Sequence, residues 1–275
     1  MHCAQPIGDL SRPPIYGCLT GIELGDDIVE IAKGVSLSRI YVDTFSAPMM
    51  AFAPPPTSRA PHPGPWVAVS GGFTFEARTQ INLAELAIFD GLAPRFAIWL
   101  VAALLRLQIT TPLRVAALCN TPFAPPENEE KKPHAIAFEN APNQLGVFTS
   151  MCIVAAEEEV SWLRDMLPSA VRLYHDERFF RAFSVYDQAQ WSPTKEMGTV
   201  LVWTAIEILL GISSEREKTK AICKRLSEFV GVDRADRDRA YQVVQHLYYE
   251  RGRAIHSGHL ITDEDTAQSF RLACV

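Results

Sequence analysis

Hydrophobic and polar positions along this chain fall into two regimes that meet near residue 155. Before that point the apolar residues come in short alternating runs. Asp27 to Ala32 and Val35 to Phe45 alternate between the punctuating Gly21, Gly25 and Gly34, a pattern that predicts strands joined by turns. Trp66 to Ala77 places Val67, Val69, Phe73 and Phe75 in alternation about Gly71-Gly72 and predicts a hairpin. Leu113 to Cys119 and His134 to Glu139 predict further strands, with one more inside Leu145 to Val154. Two helices are expected among them. One is capped by Asn82 and runs through Glu85. The other, LAPRFAIWLVAALLRLQ, is opened by Pro94 and is apolar around nearly its whole circumference, so it should be buried.

Six prolines in the twelve positions from Pro54 to Pro65 remove backbone donors too often for helix or central strand. That stretch reads as an exposed loop, and PFAPPENEEKKP reads as a second. From Glu157 onward the apolar period becomes helical. Helices are expected at 157–173, 176–190, 194–211, 215–230, 234–254 and 263 to the end. Pro193 stands at a helix start, Gly211 and Gly231 at helix ends, Ser213 or Ser214 at the cap of the fourth helix, and Thr262 before the acids Asp263, Glu264 and Asp265 of the last. The expected fold is therefore an α+β domain over residues 1–155 followed by an all-α bundle over 156–275.

Composition narrows the function classes. A 275-residue chain with 48% hydrophobic residues can bury a sizeable core, and a formal charge of −6 excludes a protein coated in basic surface, so any polyanion site must be focal. The six cysteines form no Cys-x-x-Cys pair and fit reduced, packed thiols in a cytoplasmic protein. MHCAQPIGDLSRPP lacks the regions of a secretory signal. The apolar run Phe96 to Leu105 is about half the ~20 residues a spanning helix needs, so no membrane association is expected. The first half contains no nucleophile elbow, phosphate-binding glycine loop or His-Glu-x-x-His.

Candidate chemistry gathers in Tyr241 to His259, YQVVQHLYYERGRAIHSGH. Val244, Leu247 and Tyr248 recur at helical spacing, and the stretch ends in two arginines, two histidines and Gly258. An imidazole such as His256 can exchange a proton near neutral pH, whereas Arg251 and Arg253 can hold a phosphate without giving up theirs. On spacing alone, these cations equally suit a helix end whose last turn complements the dipole. A second signal lies in GTVLVWTAIEILLG, whose one ionisable residue, Glu207, sits beside Trp203, Ile206 and Leu210. A carboxylate in that company needs a partner, and we expect it to pair with Arg251 and fix that guanidinium.

A helix with a lone internal Glu, a basic amphipathic helix and then LYYERGRAIHSG resembles the ApeA-like branch of the HEPN superfamily over roughly residues 157–275. The motif positions are Tyr248, Arg251, the intervening Gly252 to Ile255, His256 and, one residue late, Gly258. The resemblance implies a HEPN-like bundle that pairs with a second copy and brings two Arg-x4-His motifs to one cleft that cuts single-stranded RNA without metal. In that reading His256 is general base or acid and Arg251 stabilises the phosphoryl oxygens. Glu207 and Tyr248 support them, and Arg253 and His259 contact RNA. No cofactor or metal is expected; His256 and His259 lack a convincing third ligand. The implied setting is phage defence or a stress response, with a trigger ligand or protein at residues 1–155. Two departures stand out: Gly252, where cleaving members often carry a polar residue, and Gly258, where members regulated by nucleotidylation carry a tyrosine. The alternative is a noncatalytic dimerising or RNA-binding scaffold. Ten Lys or Arg against six Asp or Glu between Arg216 and Arg253 fit either an RNA track or a solvated face of ion pairs.

Overall fold

In the computed structural model, which describes residues 10–44, 51–52, 67–68, 75–109, 111–123, 135–139, 152–212 and 217–274, the alternating runs of the first half become strands. In chain order these are β1 (Ile15–Thr20), β2 (Ile22–Leu24), β3 (Ile28–Ala32), β4 (Val35–Thr44), β5 (Ala51–Phe52), β6 (Val67–Ala68) and β7 (Phe75–Leu83). Helix α1 (Pro94–Gln108) follows, then β8 (Arg114–Cys119), β9 (Ala135–Ala137) and β10 (Ile153–Ala155). Six strands form one antiparallel sheet in the order β3-β4-β7-β1-β8-β9. Strand β10 returns to pair in parallel with β2, Ile153 opposite Ile22.

Alternation decides which face is dry. Ile15 and Leu19 of β1, Val35 and Leu37 of β4, and Ile81 and Leu83 of β7 are all buried in one cluster with α1. Gly17 lets that helix approach: a Cβ there would stand 2.7 Å from Ile98 Cγ2. Asn82 caps no helix. It lies within β7, where Ala77, Thr79, Ile81 and Leu83 are buried at period two, and that burial outweighs a capping preference. Its amide donates to Ser36 and Ser38 at 3.0 Å each, and the only helical turn before α1 among the described residues is a 3₁₀ turn at Ala87–Phe89. The expected hairpin is also revised, because β6 pairs with β5 while β7 pairs with β1 and β4. Gly71-Gly72 lies outside the described residues, as do the stretch Pro54 to Pro65 and the Ser213/Ser214 cap.

The second half is helical: α2 (Glu157–Tyr174), α3 (Glu177–Ala189), α4 (Lys195–Leu210), α5 (Lys218–Val230), α6 (Arg234–Ser257) and α7 (Asp263–Cys274). Local chemistry sets several ends. Asp176, Thr194 and Asp233 accept from the backbone N–H of Phe179, Met197 and Asp236, and Gly211 and Gly258 close α4 and α6 in the left-handed region, at φ 68° and 64°. Thr262 caps α7 by accepting from the Asp265 N–H at 3.0 Å. No helix among the described residues is long and apolar enough to cross a membrane.

Packing divides the chain later than composition does. Val160, Leu163, Leu167, Ala170 and Val171 of α2 share the core of the sheet and α1. The second core begins with Tyr186 and Ala189 of α3 and continues through α4, α5 and α6. Helix α3 serves both cores, since its Phe183 belongs to the first. A buried ionic junction fastens it to α1. Arg106 donates to Asp187 through Nε at 2.7 Å and Nη2 at 2.9 Å, and to Glu139 through Nη1 and Nη2 at 3.1 Å each. Trp99 Nε1 and the Val115 N–H join the set, donating to Asp187 at 2.9 Å and to Glu139 at 2.7 Å, and Gln190 Nε2 donates to Asp187 at 3.2 Å. Burial alone would lower the Arg106 pKa, but the two carboxylates hold it above its ordinary value.

Candidate functional site

Helix α4 presents Trp203 and Glu207 one turn apart on the face that meets α6. On α6 the buried Val244 and Leu247 set the inward stripe, which Tyr248 and Arg251 extend toward the C-terminus. The two faces meet as a closed set. The Tyr248 ring stands edge-on to Trp203 at 5.2 Å, and its hydroxyl donates to Glu207 Oε1 at 2.8 Å. Arg251 lies with its guanidinium carbon 5.4 Å from the Tyr248 ring centre and its Nη2 3.4 Å from the same carboxylate oxygen. The expected Glu207–Arg251 pair is therefore present.

A second cation holds Glu207 more closely. Lys218 Nζ donates to Oε2 at 2.6 Å. Naming Arg251 as the partner from the sequence overlooked Lys218, although the signal was available. A short connection after the Gly211 stop returns the first turn of α5 to the last turn of α4. Burial and the bond to Glu207 push the Tyr248 phenol up to about 12, so it remains a neutral donor. The Lys218 side of the carboxylate opens on a cleft of about 880 Å³ that Arg178 and Arg181 also line.

The next turn of α6 behaves differently. Glu250, three residues after Leu247 on the inward stripe, is buried and accepts from Arg253 Nη1 at 3.0 and 3.3 Å. Gly258 turns the chain back so that His259 Nε2 lies 3.3 Å from Glu250 and its Nδ1 lies 3.2 Å from Arg253 Nη2. The network assigns the tautomer: Nδ1 accepts from the guanidinium and Nε2–H donates to the carboxylate. Arg253 and His259 are thus joined through Glu250, a residue to which the sequence analysis gave no role. Its spacing from Val244 and Leu247 was the available signal.

His256 stands apart from both sets. It is exposed, and its side chain makes no hydrogen bond among the described residues. Five residues of helix separate it from Arg251 by about 140° around the axis and ~7.5 Å along it, so within one chain the arginine turns inward and the histidine outward. His246 lies 3.1 Å from Asp265 and joins α6 to α7. Among the described residues no group of three or more His, Cys, Asp or Glu is arranged to hold a metal ion.

Chemically, the site offers a positioned guanidinium whose Nη1 makes no hydrogen bond among the described residues, a neutral phenol, and an exposed imidazole five residues further on. Comparison of the chain with protein-family models, with curated proteins and with solved structures finds no match.

Proposed function

We propose that this protein is a metal-independent endoribonuclease of HEPN type that works as a homodimer in the cytoplasm, in phage defence or a stress response. The observation that carries the reading is Arg251 fixed between Glu207 and Tyr248, five residues before the exposed His256. On single-stranded RNA, His256 of one copy takes the 2′-hydroxyl proton as O2′ bonds to phosphorus. His256 of the second copy protonates O5′ as the P–O5′ bond breaks, giving a 2′,3′-cyclic phosphate and a 5′-hydroxyl. Arg251 stabilises charge on the non-bridging oxygens, where a fixed donor costs no reorganisation. Residues 1–155 receive the trigger.

A noncatalytic dimerising or RNA-binding scaffold is the second reading, favoured by one observation. Arg253 and His259 close on Glu250, and Arg251 on Glu207, so most of the cluster's ionic capacity is already used within the chain. Purified protein incubated with single-stranded RNA in EDTA separates the two. Cleavage that survives chelation and is lost in His256→Ala supports the nuclease; RNA left intact by both proteins supports the scaffold.

A further inference from the structure

Away from α6, a cavity of about 480 Å³ opens between α1 and α3, beside the ionic junction that joins them. Its size is in the range of small-molecule sites. Four aromatic side chains line it: Phe96 and Trp99 of α1, Phe138 after β9, and Phe180 of α3. The indole of Trp99 is held in place, its Nε1 bound to Asp187 at 2.9 Å and its ring edge-on to Phe180 at 6.4 Å and Phe183 at 5.6 Å. Such a lining favours an aromatic guest, whose ring gains offset or edge contacts beyond simple burial.

Charge narrows the class. Asp187 is the one carboxylate in the lining, and its oxygens already accept from Arg106, Trp99 and Gln190. It has little left for a cationic guest. Glu139, the other carboxylate of the junction, does not line the cavity. Arg95, by contrast, stands exposed in the lining with its guanidinium carbon 4.8 Å from the Phe96 ring centre, and it forms no ion pair among the described residues. Ser184 and Gln188 sit one helical turn apart on α3, and their side chains make no hydrogen bond among the described residues. A ring with polar edges would use both.

We propose that this cavity is a binding site for a planar aromatic acid, the ring held among Phe96, Trp99, Phe138 and Phe180 and the anionic group at Arg95. A nucleoside monophosphate and an aromatic carboxylate share that chemistry. Because Trp99 and Asp187 belong to the junction between the two cores, an occupant contacts residues of both α1 and α3. The proposal is independent of any activity on RNA.

The test is calorimetric titration of the whole protein with AMP and with indole-3-acetate, each beside its uncharged counterpart, adenosine and 3-methylindole. Saturable binding of either acid is expected, and which one saturates identifies the source. Arg95→Ala, at an exposed position, should weaken the acid about five- to tenfold and leave the uncharged counterpart unchanged. Ser184→Leu, which projects two further heavy atoms into the cavity, should weaken binding of the acid by about tenfold or more while its circular-dichroism melt shows a folded protein; if it fails to fold, the Arg95→Ala arm decides alone. The proposal is overturned if neither acid saturates by millimolar concentration, if Arg95→Ala weakens acid and counterpart equally, or if folded Ser184→Leu binds as the parent does.

Discussion

Glu207 holds Lys218 at 2.6 Å, closer than the 3.4 Å that separates it from Arg251. The two cations nevertheless depend on it unequally. Lys218 is 37% exposed and can return to water, whereas Arg251 is 18% exposed and has a buried Nε without a partner. Glu207→Gln should therefore destabilise the fold by about 2 kcal/mol, chiefly by stranding Arg251, while Lys218→Met should cost less than ~1 kcal/mol. Urea unfolding of the two variants checks the order. Equal losses would place the carboxylate's main role on the lysine.

The phenol on the same carboxylate supplies a pH dependence. Tyr248 is raised from its ordinary 10 to about 12 by burial, by its hydrogen bond to Glu207 and by that residue's charge. A phenol that ionises later in the folded chain than in the unfolded one contributes stability that is complete below pH 10 and is lost as the pH rises toward 12. The stability difference between the parent and Tyr248→Phe should be constant up to about pH 10 and shrink above it. Denaturant midpoints of both proteins from pH 8 to 12 measure this, and a difference that stays constant throughout would count against the Tyr248–Glu207 bond.

Arg106 offers the largest expected loss. Its side chain is 1% exposed and satisfies Asp187 and Glu139 together, so Arg106→Ala leaves two carboxylates unpaired and should cost about 3–5 kcal/mol. Arg106→Lys should recover only part of that, because a single ammonium cannot reproduce the forked contacts to both acids. Thermal unfolding of the two variants gives the comparison. Full recovery by lysine would show that charge alone, without geometry, holds α1 to α3.

What could be read from the sequence, and what could not, follows from the range of each interaction. The six later helices were legible because their period and their end signals, such as Gly211, Gly258 and Thr262, are local. The Glu207–Arg251 pair was legible because a carboxylate inside an apolar helix has to be answered by something. Arg106 gave no such signal. At the end of an apolar run it reads as a flank, and only the return of β9 and α3, with Glu139 and Asp187, makes it a buried centre. Asn82 misled for the related reason that its strand partners, β1 and β4, are distant in sequence. Lys218 and Glu250 were within reach, the first from the few residues between the Gly211 stop and α5 and the second from its spacing on α6.

The two histidines at the end of α6 should separate function from stability. His256 is exposed and makes no side-chain hydrogen bond among the described residues, so His256→Ala should change stability by less than ~0.5 kcal/mol. Under the proposed nuclease mechanism it abolishes cleavage. His259→Ala removes a partner of the buried Glu250 and should destabilise by about 1 kcal/mol, with Arg253 still on the carboxylate. Parallel unfolding and RNA-cleavage measurements on both variants decide. An inactive His256→Ala that has also lost several kcal/mol would make the histidine structural.

Gly252 lies in the interior of α6, and a Cβ placed there would meet no described atom within 4 Å. Within a single chain, alanine should therefore suit the site better than glycine and stabilise the helix by about 0.5–1 kcal/mol. The proposed homodimer changes the sign of the argument. If the second copy approaches α6 at this point, the missing side chain is what permits close contact, and Gly252→Ala raises the melting temperature at low protein concentration while weakening self-association. Melting curves and sedimentation over a hundredfold range of concentration separate the cases: a stabilised protein with unchanged association places the dimer contact elsewhere, and a stabilised protein that dissociates more readily places it on the stretch of α6 from Arg251 to His256.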